Sequence, residues 1–178
     1  MATPNLTPST QIRSDDDSVV LEIFIAAPPA RVFQAITDPT QTSKWWGQKG
    51  LYRITEAHSD VRPGGKWKSS GIGDDGTKFS VEGEYLEIDP PRLLVHTWNP
   101  SYSELRNTVV RWELTPREVH GLHASGPHRT GTGTQVTIRH SGFAGNREQA
   151  QGHGHGWIRV LGWLQAFVEK DETVVTRE

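Results

Sequence analysis

Residues 157–168, with the sequence WIRVLGWLQAFV, decide the fold of this 178-residue chain. Apolar side chains recur there at spacings of three and four, which is the period of one face of an α-helix. The pattern predicts a long amphipathic helix from about Arg147 to Lys170. Its apolar stripe consists of Trp157, Val160, Leu161, Leu164, Phe167 and Val168. A stripe this wide must be buried against a second layer of structure.

The residues before this helix supply that second layer. From residue 52 to residue 141, strand patterns alternate with turn signals such as Asp74-Asp75-Gly76 and Asp89-Pro90-Pro91. Strands joined by short turns favour one antiparallel sheet. The predicted strands are 19–25, 52–57, 66–70, 78–88, 92–98, 108–114 and 134–141. We therefore predict an α+β helix-grip fold, in which a curved antiparallel sheet of about seven strands wraps around the C-terminal helix.

Two short helices are predicted between the first and second strands. Pro28-Pro29 ends the strand and suits a first helical turn, so residues 30–37 form the first helix. Asp38-Pro39 ends it, and residues 42–46 form the second, which stops at Gly47. Residues 19–170 are therefore one domain. We expect residues 1–18 to be a disordered tail, residues 117–133 a flexible insertion and residues 171–178 a C-terminal tail.

Composition excludes several function classes. The net charge is −2 without a long basic run, which argues against binding to nucleic acid or to an anionic membrane. No apolar stretch is long enough for a membrane span, and the N-terminal residues lack the features of a secretory signal. The absence of cysteine removes disulfides, thiolate nucleophiles and zinc–thiolate sites. We expect a cytoplasmic protein with no metal and no cofactor.

Seven short motifs, in a fixed order, carry a family resemblance. They are Ala27 to Phe33, Thr37-Asp38-Pro39, Trp45-Trp46, Arg62 to Gly65, Asp89 to Leu93, His140 to Phe143, and His153 to Trp157. The pattern resembles the START-like (SRPBCC, helix-grip) superfamily, in the branch named after the activator of the Hsp90 ATPase. The resemblance covers residues 19–169 and implies the same fold. It fixes function less well, because the fold hosts carriers, co-chaperones and enzymes.

The concave face of the sheet is the candidate site. Alternation along the strands places Leu94, His96 and Trp98 on the inner side, opposite Trp112 and its neighbours. Apolar walls with a few polar groups are typical of a small-molecule pocket, although the same side chains would also make a filled core. The predicted ligand-binding residues are Trp45, Trp46, Trp67, Tyr85, His96, Trp98, Trp112, His140, Phe143, Trp157 and Leu161.

Two details of this prediction concern helix geometry. Adjacent helical residues diverge by about 100°, so one of Trp45 and Trp46 should pack inward while the other lies at the cavity rim. The segment Gly152 to Trp157 is interpreted as the helix-entry motif of the family, in which glycine permits close approach of helix and sheet. His153 and His155 would point about 200° apart on a helix, which disfavours a shared metal.

The leading hypothesis is non-catalytic binding of a small hydrophobic or aromatic ligand, such as a lipid, in a cavity between the sheet and the C-terminal helix. The resemblance implies two alternatives. One is activation of an Hsp90-type chaperone in a stress response, and self-association is also left open. The other is catalysis like that of a polyketide cyclase or aromatase, for which His96, His140 and Tyr85 are the available acid–base groups.

Overall fold

The computed structural model describes residues 11–15, 17–118 and 131–177. Its elements follow the order predicted from the sequence, with two additional strands. The strands are β1 (Gln11–Ser14), β2 (Ser18–Ile25), β3 (Gly47–Gln48), β4 (Tyr52–Ser59), β5 (Lys66–Gly73), β6 (Lys78–Asp89), β7 (Leu93–Pro100), β8 (Thr108–Glu118) and β9 (Thr132–Ser141). The helices are α1 (Pro29–Thr37), α2 (Pro39–Trp45) and α3 (Arg147–Lys170). The predicted α+β helix-grip fold is confirmed.

All nine strands belong to one antiparallel sheet in the order β1-β2-β9-β8-β7-β6-β5-β4-β3. The predicted count of about seven misses β1 and β3. The two-residue β3 is too short to show a periodic pattern. Strand β1 is an edge strand with a polar sequence, held by backbone pairing in which Gln11 lies opposite Glu22 and Ser14 opposite Val19.

Three predicted boundaries are corrected by these pairings and contacts. The expected N-terminal tail includes β1 and the start of β2 at Ser18, while residues 1–10 lie outside the described residues. The expected 117–133 insertion is shorter, because Arg117 pairs with Gly133 and Glu118 with Thr132. Residues 119–130 lie outside the described residues.

The third correction concerns the expected C-terminal tail, whose described residues pack against the domain. Val174 is only 9% exposed, and its backbone N–H donates to the carbonyl oxygen of Lys44 at 2.9 Å. The Arg177 guanidinium lies 5.5 Å from the centre of the Trp163 ring. Its Nη1 donates to the Gly47 carbonyl oxygen at 2.5 Å. Residues 171–177 therefore fasten the end of α3 to α2 and β3.

Helix α1 ends at the predicted Asp38-Pro39 signal, but α2 begins at Pro39 and ends at Trp45, whereas residues 42–46 were predicted. Asp38 caps α2, since its carboxylate accepts the Thr40 backbone N–H at 2.9 Å, and Pro39 occupies the first helical position. Asn146 caps α3 by accepting the Gln149 N–H at 3.1 Å. Among the described residues, no helix is both long and apolar enough to cross a lipid bilayer.

Helix α3 lies across the concave face and packs directly on β2. At the closest approach, a Cβ added to Gly154 would come within 3.0 Å of Val19 Cγ2. The inner residues of β2, β8 and β9 and the stripe of α3 form the core, with Leu161 and Leu164 fully buried. The predicted inward orientation of Leu94, His96 and Trp98 is confirmed by their burial. This side of the interior is tightly filled.

Candidate functional site

The other side of the interior is not filled. A cavity of about 690 Å³ lies between α3 and the inner face of β4 to β7. Two of its lining residues, Leu51 and Tyr102, are 39% and 64% exposed, so the cavity reaches the solvent there. Its size is within the range of small-molecule pockets. The predicted cavity between the sheet and the C-terminal helix is therefore present.

Four indole rings form one wall of the cavity. Trp98 is central, with ring centroids 5.2 Å from Trp157, 5.6 Å from Trp67 and 6.2 Å from Trp46. Each of these residues lines the cavity. Because the rings are held by one another, the wall presents a large, preformed aromatic surface.

A glycine makes room for one of these rings. Gly83 lies opposite Trp67 in the β5–β6 pairing. A Cβ at this glycine would come within 2.7 Å of the Trp67 indole nitrogen and would also collide with the Thr97 carbonyl oxygen. Trp67 therefore packs directly against Gly83, and its indole N–H has no hydrogen-bond partner among the described residues.

Two buried histidines hold the indole rings of Trp112 and Trp157 in place. The Trp112 indole N–H donates to His96 Nε2 at 3.1 Å, and His96 Nδ1 donates to the Thr97 carbonyl oxygen at 3.0 Å. An indole nitrogen can only donate, so His96 must be neutral with its proton on Nδ1. Burial agrees, because it lowers the pKa of His96 to about 4.

His140 occupies the equivalent position beneath Trp157. It accepts the Trp157 indole N–H on Nδ1 at 3.0 Å and donates from Nε2 to Thr108 Oγ1 at 2.9 Å. The Thr108 hydroxyl in turn donates to the Trp98 carbonyl oxygen at 3.0 Å. Desolvation and the neighbouring His153 and His96 hold the pKa of His140 well below its usual value. Both ring nitrogens are occupied, so His140 positions Trp157.

Hydroxyl groups supply the polar part of the wall. Tyr85 and Ser59 are hydrogen bonded through their side-chain oxygens at 2.6 Å, and both line the cavity. The Tyr52 hydroxyl accepts the Trp46 indole N–H at 3.2 Å. Burial raises the pKa of both tyrosines, so they are neutral hydrogen-bonding groups at physiological pH.

Helix α3 contributes a face with little side-chain volume. Gly152 and Gly156 are four residues apart and both line the cavity. A Cβ at either position would meet nothing within 4 Å, so neither glycine is needed for close packing. The predicted close approach of helix and sheet is correct for Gly154 alone. At Gly152 and Gly156 the missing side chains leave the cavity open.

Seven of the eleven predicted ligand-binding residues line the cavity. They are Trp46, Trp67, Tyr85, His96, Trp98, Trp112 and Trp157. The other four, Trp45, His140, Phe143 and Leu161, are completely buried in the core and are not among the lining residues. Inward orientation alone did not separate the filled side of the interior from the open side.

The Trp45-Trp46 pair behaves as predicted in burial but not in direction. Trp45 is fully buried and donates its indole N–H to the Ala35 carbonyl oxygen at 2.9 Å, while Trp46 lines the cavity. The two rings stack with centroids 5.1 Å apart instead of diverging. The reason is that α2 ends at Trp45, and Trp46 has an extended backbone.

Several lining residues were not identified from the sequence. Tyr52, Ala57 and Ser59 belong to β4, and the sequence pattern of that strand did not predict which of its faces is buried. A β-bulge between Ile54 and Glu56 breaks its alternation. His153 and Glu148 lie on α3 outside its apolar stripe, so the periodicity of apolar residues did not predict that they line the cavity.

The fold and the cavity together define the class of protein: a helix-grip domain whose curved sheet and closing helix enclose an aromatic chamber. The chain belongs to the family described as "Activator of Hsp90 ATPase homolog 1-like protein", whose model matches residues 26–123. The resemblance to the START-like superfamily seen in the sequence is confirmed.

Solved structures of low sequence identity share this fold. A protein from Arthrobacter aurescens has a TM-score of 0.72 at 20% identity, covering 90% of this chain and 91% of its own. Protein Ms6760 from Mycobacterium smegmatis has a TM-score of 0.70 at 21% identity, covering 90% and 97%. The AHSA1 protein from Silicibacter pomeroyi has a TM-score of 0.67 at 22% identity, covering 87% and 99%. A comparison with curated proteins found no match.

Proposed function

We propose that this protein binds a small hydrophobic or aromatic molecule in the cavity between α3 and the sheet, without transforming it. The observation that carries the proposal is the open, aromatic-lined space of about 690 Å³. Helix-grip proteins of this superfamily commonly bind hydrophobic ligands, which is consistent with this use of the space. The lining residues named above are the proposed contacts.

Apolar transfer would drive binding. Burying roughly 250 Å² of ligand surface is worth about 6 kcal/mol before association costs, at the usual coefficient. Loss of translational and rotational freedom removes several kcal/mol. The few kcal/mol that remain correspond to a Kd no tighter than about 1 mM from apolar burial alone. The preformed wall limits this cost, because its indole rings are already fixed by hydrogen bonds to His96, His140 and Tyr52.

The histidines named for a catalytic alternative favour binding over catalysis. An acid–base catalyst needs a nitrogen that can exchange a proton with the substrate near neutral pH. His96 and His140 have both ring nitrogens engaged by protein groups and are held neutral. Tyr85 is hydrogen bonded to Ser59, and burial raises its pKa. These three groups hold the side chains of the cavity wall in position.

A matched pair of substitutions tests the proposal. Ser69 and Ser70 are neighbours on β5 that face opposite sides of the sheet, and only Ser69 lines the cavity. Ser69→Phe should fill the cavity and abolish the thermal shift given by a neutral aromatic probe such as 4-phenylbutanol. Ser70→Phe should leave that shift unchanged. The proposal fails if the wild-type protein binds no hydrophobic probe, or if the two variants bind equally well.

Activation of an Hsp90-type ATPase and self-association remain predictions. An ATPase assay with an Hsp90 homologue and a saturating amount of this protein separates chaperone activation from ligand binding. Stimulation of turnover that persists in Ser69→Phe would show an activity independent of the cavity. Stimulation lost in that variant would link the two functions.

A further inference from the structure

The charged residues that line the cavity indicate which class of ligand it prefers. This inference rests on the proposed binding function. Among the thirty described residues that line the cavity there is no lysine or arginine. Glu148 is the lining carboxylate, and it forms no ion pair with a described residue. We propose that the cavity takes a hydrophobic amine, with the ammonium group beside Glu148, and discriminates against carboxylates.

The imidazoles of the wall do not supply positive charge. His96 is neutral, and burial also lowers the pKa of His153. His153 donates from Nδ1 to the Gln149 carbonyl oxygen at 2.8 Å, so its Nε2 is an acceptor in the neutral ring. His58, at the exposed rim, lies 2.7 Å from the Glu56 carboxylate, so this ring faces a negative charge of the protein itself.

The first turn of α3 does not favour an anion either. A helix N-terminus attracts negative charge through its unpaired N–H groups. Here Asn146 takes the Gln149 N–H, and the Glu148 carboxylate lies in the same turn, where it already compensates the helix dipole. A ligand carboxylate at this end of the cavity would meet a like charge.

The indole rings agree with the same preference. Their faces carry the negative side of a quadrupole and attract cations. Their donors are unavailable to an anion. The N–H groups of Trp46, Trp112 and Trp157 are bonded to protein atoms. Those of Trp67 and Trp98 are buried from the solvent and from the cavity space.

The arginines and the lysine of α3 are not among the residues that line the cavity. Arg159 is exposed and is not a lining residue. Burial raises the pKa of Tyr52, and the positive charge of Arg159 opposes that shift. Along α3, Glu148 and Val160 bound the cavity and are separated by twelve residues, or about 18 Å of helix rise. An ammonium beside Glu148 therefore lies away from Arg159, with the apolar body of the ligand extending along the indole wall.

Three probes with one carbon skeleton test the inference: 4-phenylbutylamine, 4-phenylbutanol and 4-phenylbutyrate, compared by calorimetry at pH 7.5 in low salt. We expect the amine to bind about fivefold more tightly than the alcohol, and the alcohol about fivefold more tightly than the carboxylate, as for a partly exposed charge pair. Glu148→Gln should bring all three affinities together. Glu87 is exposed and lies outside the cavity, so Glu87→Gln should leave the differences between the three affinities unchanged.

The outcomes separate this inference from the proposed function. Binding of the carboxylate as tightly as the amine, or a ranking unchanged in Glu148→Gln, overturns the amine assignment. If the alcohol nevertheless binds and Ser69→Phe prevents it, the hydrophobic receptor stands. Binding of none of the three probes overturns both. A ranking that also narrows in 1 M salt supports a charge effect, because salt screens exposed charges.

Discussion

The glycines of α3 give the sharpest prediction, because they separate stability from binding. Gly156 and Gly162 are both interior positions of the helix, and a Cβ at either would meet nothing within 4 Å. Glycine costs about 0.8 to 1 kcal/mol relative to alanine or leucine at such positions. Gly156 lines the cavity, whereas Gly162 is exposed to solvent and does not. Substitution by leucine should therefore stabilise both variants.

The size of the effect follows from helix propensity and burial. Each variant gains about 0.8 kcal/mol in the free energy of unfolding, which raises Tm by about 2 to 4 °C for a chain of this size. Gly156→Leu gains more, because its side chain enters an apolar cavity. The same side chain occupies ligand space, so we expect its affinity for 4-phenylbutanol to fall at least about tenfold, or 1.4 kcal/mol.

Urea unfolding and calorimetric titration of the two variants check this prediction side by side. Gly162→Leu should be more stable than wild type and bind the probe within about twofold of the wild-type affinity, which is close to measurement error on the free-energy scale. Wild-type affinity in Gly156→Leu would refute the assignment of this helix face to the cavity. Loss of stability in Gly156→Leu would refute the claim that the glycine keeps the space open at a cost to the helix.

Three further predictions concern buried polar groups. His140→Phe leaves the Trp157 indole N–H without its acceptor and should lower the free energy of unfolding by about 1 to 3 kcal/mol. His155 is exposed, so His155→Phe should change the free energy of unfolding little. Equal effects of the two substitutions in urea unfolding would contradict the role of His140. Stability should decline as the pH falls from 6.5 towards 4, because the unfolded chain protonates His96 below about 6.5 and the folded chain only near 4. The slope approaches about 1.4 kcal/mol per pH unit for that histidine, and urea titrations at pH 7 and pH 5 should show a smaller difference in His96→Gln. Arg177→Ala should cost about 1 to 2 kcal/mol through loss of its contacts with Gly47 and Trp163, and an unchanged urea midpoint would show that residues 171–177 do not fasten the domain.

The sequence predicted the elements whose signals are local. The bounds of α3 agree with the prediction because its apolar stripe, its Asn146 cap and its left-handed residue Asp171 all lie within the helix or beside it. The seven longer strands follow from turn residues and alternation. Strand β1 was missed because nothing in its own sequence requires a strand. Its pairing with β2 depends on backbone groups that any residue could supply.

The candidate site was predicted in part for the same reason. Alternation correctly predicted that Trp67, His96 and Trp98 point inward, because the residues of a strand themselves show which of its two faces is apolar. It could not show that Leu161 and His140 face the filled side of the interior while Gly156 faces the open side. That distinction depends on how far α3 stands from each strand.

The chain by itself determines an amphipathic helix, a set of alternating strands and an aromatic inner face, because each depends on periodicity and turn chemistry within a few residues. Only the tertiary structure decides that α3 packs on β2 at Gly154 and stands away from β4 to β6 at Gly152 and Gly156. Packing of one helix on a twisted sheet sets distances between residues more than a hundred positions apart. Those distances, which no local pattern encodes, create the cavity.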